Sequence, residues 1–163
     1  MDCIIQVDGK VVPIEVASKQ QIIERDTKMK VKLEDIIEAL EMVDDSSECF
    51  LDKETGEVEW VSEYALSYEE QQEIYARLDE HGFYRLPTQF EIRDYDIMES
   101  FVASIAGKDH EILATAIQGK GAFRRFKDKV IDLGLDKMWY WYRDSAYKHK
   151  AAEWCEENGV EYE

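Results

Sequence analysis

The chain contains few of the residues that build most metal sites and disulfide frameworks. Its 163 residues include three cysteines, three histidines and two prolines. Cys3, Cys49 and Cys155 lie far apart with no paired spacing, so we expect reduced thiols in a cytosolic protein. The histidines occur singly, without the spacing of a zinc motif, and we therefore expect no metal and no cofactor.

Positive charge and long apolar runs are also scarce. The chain has 20 Lys and Arg against 37 Asp and Glu, a formal net charge of −17. This charge opposes long-range attraction to nucleic acid and to anionic membranes. No apolar run has the length of a membrane span, and no basic-then-apolar leader is present, so we expect a cytoplasmic protein without membrane contact. A Walker phosphate loop and a Gly-x-Ser-x-Gly elbow are absent as well.

The patterns that are present predict an α+β fold. We expect a mostly helical single domain with small antiparallel hairpins and an aromatic-rich pair of helices near the C-terminus. Apolar residues at helical spacing between Leu33 and Leu40 predict a helix that ends near Met42. Two apolar runs around residues 52–56 predict a hairpin in which Gly56 takes the left-handed backbone conformation.

Capping signals divide the middle of the chain into helices. Ser67 and Glu70 have the spacing of a capping box and predict a helix that stops at Gly82. Asp94 is expected to cap the next helix, and Gly107 is expected to end it.

The first 28 residues are expected to be an appendage. Residues 1–28 predict a hairpin, with its turn at Asp8 and Gly9, followed by a short helix. Residues 29–163 are expected to form the single α+β domain, because no internal repeat and no Pro/Gly/Ser-rich linker divides them.

One segment in the last third of the chain is both basic and aromatic. Residues 118–150 hold nine Lys or Arg and four Asp, a local charge of +5 in an acidic chain. Gly134 and Asp136 separate two predicted helices there, and the second has aromatic residues around much of its circumference. We therefore expect other elements to enclose its start, and Arg143 to stack on a ring beside a carboxylate. The predicted structural aromatic core comprises Phe123, Phe126, Trp139, Tyr147 and Trp154.

Three motifs in this order resemble a bacterial protein family. They are Leu51-Asp-Lys-Glu-Thr-Gly-Glu-Val58, Gly119-Lys-Gly-Ala-Phe-Arg-Arg-Phe-Lys-Asp128 and the residues Trp139, Arg143, Asp144, Tyr147 and Trp154 ahead of Asn158-Gly159. Over roughly residues 30–162 the chain is similar to Uncharacterised Protein Family 0158. The resemblance implies a small bacterial cytosolic protein and brings no activity, cofactor or catalytic residue.

The candidate binding residues are Lys120, Arg124, Arg125 and Lys127. The glycines before them permit close backbone approach, and the start of the following helix offers unpaired N–H groups to an anion. The competing interpretation is that the glycines only separate two helices, while the cations pair with the many carboxylates of the chain.

These residues support a leading hypothesis and two alternatives. The leading one is a non-enzymatic binding or adaptor protein that contacts an acidic partner protein or anionic ligand through its basic C-terminal helix. The first alternative is single-stranded RNA or DNA binding through the same basic and aromatic surface. The second is a small enzyme whose site forms only in three dimensions, and for it the sequence identifies no catalytic residue.

Overall fold

The structure is a computed structural model, and it describes residues 29–163. The hairpin and short helix predicted for residues 1–28 lie outside the described residues. Val31–Glu163 form one compact unit.

Helices dominate this unit, and two small sheets accompany them. In chain order the elements are β1 (Lys30–Val31), α1 (Leu33–Met42), β2 (Ser47–Asp52), β3 (Val58–Ser62), α2 (Tyr68–His81), β4 (Phe83–Arg85), α3 (Gln89–Ile92), α4 (Asp94–Ser104), α5 (Gly107–Ala116), α6 (Ala122–Asp132), α7 (Asp136–Glu157) and β5 (Glu161–Tyr162). The predicted α+β class, mostly helical with small antiparallel hairpins, is confirmed.

The larger sheet is antiparallel and has the strand order β3-β2-β4. Leu51 in the central strand lies opposite Val58 on one side and Tyr84 on the other. The hairpin between β2 and β3 turns through Gly56 at φ 76°, as its sequence predicts. In the smaller sheet β5 pairs with β1, so the end of the chain returns to the start of the described domain.

The strongest local signals agree with the observed helix ends. Helix α1 spans the predicted residues, and its Ile36 and Leu40 are buried. The Ser67 hydroxyl accepts a hydrogen bond from the Glu70 N–H at 3.2 Å, and the Glu70 carboxylate accepts one from the Ser67 N–H at 2.8 Å. This capping box satisfies two of the helix-end donors that would otherwise lack partners.

Two predicted helix boundaries are wrong. Gly107 is the first residue of α5 and does not end α4, which stops at Ser104. Asp94 is the first residue of α4, and no side chain caps that helix. Its carboxylate instead accepts a hydrogen bond at 2.5 Å from the Tyr147 hydroxyl of α7, a partner 53 residues along the chain that local patterns do not reveal.

Aromatic rings in edge-to-face contact join α4, α6 and α7. The Phe126 ring lies 4.8 Å from the Trp139 ring and 6.0 Å from the Phe101 ring, measured between centroids. Phe126, Trp139, Tyr147 and Trp154 are all buried. Phe123 differs from the expected core because 42% of it is exposed. It lies to one side of the buried face of α6, where its ring meets Tyr95 at 6.3 Å.

The start of α7 is not enclosed as predicted. Met138, Tyr140 and Trp141 are exposed, Trp141 to 70%. The helix buries one side through Trp139, Tyr147 and Trp154 and presents Tyr140 and Trp141 to solvent. Aromatic residues around much of a helix therefore do not show that other elements enclose it.

Candidate functional site

Arg125 is bound to the loop that precedes its own helix. Its Nε donates to the Ala116 carbonyl at 3.0 Å, and its Nη1 donates to the Lys120 carbonyl at 2.6 Å. Its Nη2 donates to the Gln118 carbonyl. These bonds satisfy carbonyls at and beyond the C-terminus of α5, where the helix supplies no donor. The Arg125 guanidinium is thus a structural clamp on the loop, and its partners are backbone carbonyls instead of the carboxylates expected in the competing interpretation.

The other predicted binding residues are exposed and point in different directions. Lys120, Arg124 and Lys127 make no hydrogen bond or ion pair through their side chains within residues 29–163. Successive helical residues are rotated by about 100°. With Phe126 facing the core, Arg124 points away from it, while Lys127 and Arg125 lie on opposite flanks of α6. The sequence cluster is therefore spread around the helix.

The neighbouring arginines Arg124 and Arg125 are expected to differ in their effect on stability. Arg125→Ala removes three donors from carbonyls around the loop and is expected to lower the free energy of unfolding by about 1–2 kcal/mol. Arg124→Ala removes an exposed side chain and is expected to change it by less than about 0.5 kcal/mol. Urea denaturation of both variants measures the difference, and equal losses would contradict the clamp.

A groove between α5 and α6 joins Arg125 to two lysines that the sequence did not single out. It has a volume of about 650 Å³. Lys108 on α5 and Lys129 and Arg125 on α6 supply its positive charge, Glu111 is its one carboxylate, and Ile112, Thr115 and Ala116 complete the lining. Lys129 and Arg125 are four residues apart, a spacing that predicts one shared helix flank. Lys108 joins them only through the packing of two helices, so no local pattern indicates it.

A hydrogen bond between a buried carboxylate and a histidine holds the hairpin to the end of α2. Asp52 is 0% exposed, and its Oδ2 lies 2.8 Å from Nδ1 of His81. Burial favours the neutral acid, but hydrogen bonds from His81 and from the Thr55 and Glu54 amides lower the pKa of Asp52 overall. The hydrogen bond to Asp52 likewise raises the pKa of His81. The hydrogen bond that joins the hairpin to α2 therefore contributes to both pKa shifts.

Burial makes two cysteine thiols, those of Cys49 and Cys155, poor nucleophiles. Burial raises the pKa of Cys49 and of Cys155 to about 11, so the nucleophilic thiolate form is scarce near neutral pH.

Within residues 29–163 there is no group of three or more His, Cys, Asp or Glu that could hold a metal ion. No helix in the same residues combines the length and apolar content of a membrane crossing.

Arg143 makes the stacked and ionic contacts expected from the sequence. Its guanidinium lies 4.3 Å from the centre of the Tyr147 ring, and Nη1 lies 3.6 Å from Oε2 of Glu41. The ion pair connects α7 to α1, and the guanidinium covers one face of the buried Tyr147 ring. Arg143 is therefore a structural residue of this domain.

Comparison with known proteins gives one match. No curated protein and no solved structure shows significant similarity to the chain. The sequence model described as Uncharacterised protein family (UPF0158) matches residues 26–163. Since the match covers most of the chain and includes the whole described domain, this protein belongs to the uncharacterised protein family UPF0158.

Proposed function

We propose that this protein is a non-enzymatic binding protein that contacts an acidic partner through α6 and the groove beside it. The observation that carries the proposal is the groove lined by Lys108, Lys129 and Arg125 over an apolar floor. Three cations and one carboxylate meet there in a chain whose net charge is −17. A cationic concave surface on an acidic protein opposes its overall field, and this local reversal favours an anionic ligand.

The lining of the groove indicates the kind of partner. Ile112 and Ala116 offer apolar contact, while Lys108 and Lys129 offer charge at the rim. A protein segment with an apolar side chain next to carboxylates satisfies both requirements. Such an arrangement follows the usual division of an interface into an apolar centre and a polar rim.

The exposed cations outside the groove extend the same contact. Lys120, Arg124 and Lys127 remain accessible, and residues 120–132 carry a net charge of +3. Ile131 is 58% exposed and stands four residues after Lys127, so the outer face of α6 also combines charge with an apolar side chain. Charges around a docking site mainly raise the rate of association and orient the partner.

The test uses a short fluorescein-labelled peptide of alternating Glu and Leu. Anisotropy titrations are expected to show binding to the wild type and a loss of about tenfold or more for K108E/K129E, which reverses the charge of the groove rim. The outer pair R124E/K127E is expected to weaken binding less and mainly to slow association. Lys148→Glu is the matched control, because it reverses an exposed lysine of α7 outside the groove. Unchanged affinity of K108E/K129E would disprove the proposed site.

Single-stranded nucleic acid is the second candidate, and two exposed rings favour it. Tyr140 and Trp141 are 53% and 70% exposed, and bases stack on such rings without sequence preference. A labelled oligouridylate titration decides between the two anions. Nucleic-acid binding requires affinity that falls steeply with salt and is lowered by Trp141→Ala, whereas the acidic-partner proposal expects no effect of that substitution on the peptide.

A further inference from the structure

A second concave surface, of opposite charge, lies between the α1–β2 loop, the start of β2, α3 and the starts of α4 and α6. It has a volume of about 1340 Å³, and its lining contains six carboxylates against one arginine. Small-molecule pockets generally measure about 300–1,000 Å³. The size of this cleft therefore suits a segment of polypeptide better than a metabolite.

Aromatic rings give the acidic cleft an apolar surface. Phe90, Tyr95 and Phe123 line it and are 88%, 37% and 42% exposed. Tyr95 and Phe123 meet edge to face at 6.3 Å, and the Tyr95 hydroxyl donates to the Ile117 carbonyl at 2.7 Å. The rings of Tyr95 and Phe123 are thus held in defined positions. Exposed apolar groups that line a concavity with a polar rim mark an interaction site.

The turn that carries Phe90 is braced on both sides. Helix α3 is one turn long, and Thr88 and Glu91 close it with a capping box. The Glu91 carboxylate also pairs with the Arg85 guanidinium through contacts of 3.1 and 3.3 Å. Ile92 is 2% exposed and anchors the turn from within. Because the backbone that carries Phe90 is already held in place, a partner that covers the ring orders little additional backbone.

The charge of the cleft identifies the partner chemistry. Among the lining carboxylates, those of Asp45 and Glu48 make no hydrogen bond or ion pair within residues 29–163. Asp44 stays ionised because hydrogen bonds from Ser46, through its N–H and its hydroxyl, lower the pKa of the Asp44 carboxyl. Cationic side chains of a partner would complement these groups, whereas a nucleic-acid backbone would be repelled.

We infer that this cleft docks a cationic protein segment, with an apolar side chain of the partner against Phe90 and Lys or Arg side chains against Asp45 and Glu48. Two occupants from this chain fit less well. A second copy carries the same charge of −17, which opposes self-association. Residues 1–28 hold four basic and five acidic residues, so that segment has a net charge of −1 and no excess of positive charge to match the cleft.

The experiment must separate docking at the cleft from general attraction to an acidic protein. The probe is a short fluorescein-labelled peptide of alternating Lys and Leu, titrated against the full chain. Phe90→Ala is expected to weaken binding by about tenfold, and the charge reversal D45K/E48K is expected to weaken it at least as much. The matched controls are Tyr64→Ala, an 86% exposed ring outside the cleft, and Asp79→Lys, an exposed carboxylate of α2. Both controls are expected to bind as the wild type does.

Several results would overturn the inference. One is equal weakening by Phe90→Ala and Tyr64→Ala, and another is equal affinity for a peptide of alternating Lys and Ser, which lacks the apolar anchor. Dimerisation in sedimentation velocity that Phe90→Ala abolishes would assign the cleft to a second copy and would also refute it. Since Phe90 is exposed, the thermal midpoint of Phe90→Ala is expected to match the wild type, so lost binding reports the surface and not the fold.

Discussion

Phe126→Ala is expected to lower the free energy of unfolding by about 3–5 kcal/mol. Phe126 is 0% exposed, and its ring touches Phe101 and Trp139 edge to face. Truncation removes the apolar contact of one large side chain, leaves a cavity between α4, α6 and α7, and takes away two aromatic pairs. Against a total stability of about 5–15 kcal/mol, this is a large fraction. Urea denaturation and the thermal midpoint measure it.

Phe123→Ala is the matched control for that prediction. The two phenylalanines stand three residues apart on α6, and the sequence pattern treats them alike. Because Phe123 is 42% exposed and has one aromatic neighbour, its truncation is expected to cost only about 1 kcal/mol. If the two variants lost equal stability, the buried ring cluster would not be the centre of the core.

Signals that act over a few residues were sufficient for much of the fold. The capping box of Ser67 and Glu70 and the hairpin glycine Gly56 predicted structure correctly because their partners lie three or four residues away. The same signal at Thr88 and Glu91 begins α3. Its spacing is identical to that of the first box, so the start of α3 is predictable from the sequence as well.

Features that depend on distant partners were missed. The pairing of β5 with β1 joins the two ends of the described domain, and each strand has only two residues. Such short strands carry no alternating pattern of their own. The exposure of Trp141 was missed for a related reason. The helical periodicity gives the direction in which a side chain points, but not whether another element covers it.

The candidate sites also divide into features that the local sequence predicts and features that depend on distant partners. The sequence placed a basic cluster on α6, but the carbonyls around the preceding loop bind Arg125, and helical geometry separates Arg124 from Lys127. The acidic cleft was not foreseen because its lining comes from four separated stretches, at residues 44–48, 88–91, 93–96 and 123. Only the packing of these stretches brings the carboxylates and the rings together.

Tyr147→Phe is expected to lower the free energy of unfolding by about 1.5–3 kcal/mol. Tyr147 is 2% exposed, and its hydroxyl donates to the Asp94 carboxylate at 2.5 Å, joining α7 to the start of α4. The substitution keeps the ring beneath Arg143 and removes only the hydroxyl, so the partly buried Asp94 carboxylate loses a charge-assisted hydrogen bond. Tyr142→Phe is the matched control, because the Tyr142 hydroxyl makes no hydrogen bond within residues 29–163. Its effect is expected to stay below about 0.5 kcal/mol.

The same pair of variants predicts a difference in alkaline stability. Burial, followed by the hydrogen bond to Asp94, raises the pKa of Tyr147 above its ordinary value. A raised pKa means that the folded state retains a proton which the unfolded chain releases near pH 10. The contribution of Tyr147 is therefore complete below about pH 10 and declines as the pH rises from there towards the folded-state pKa. Denaturation across this range should show a shallower decline for Tyr147→Phe than for the wild type, and Tyr142→Phe should follow the wild type. A wild-type slope in Tyr147→Phe would mean that the buried hydroxyl does not carry the proton linkage.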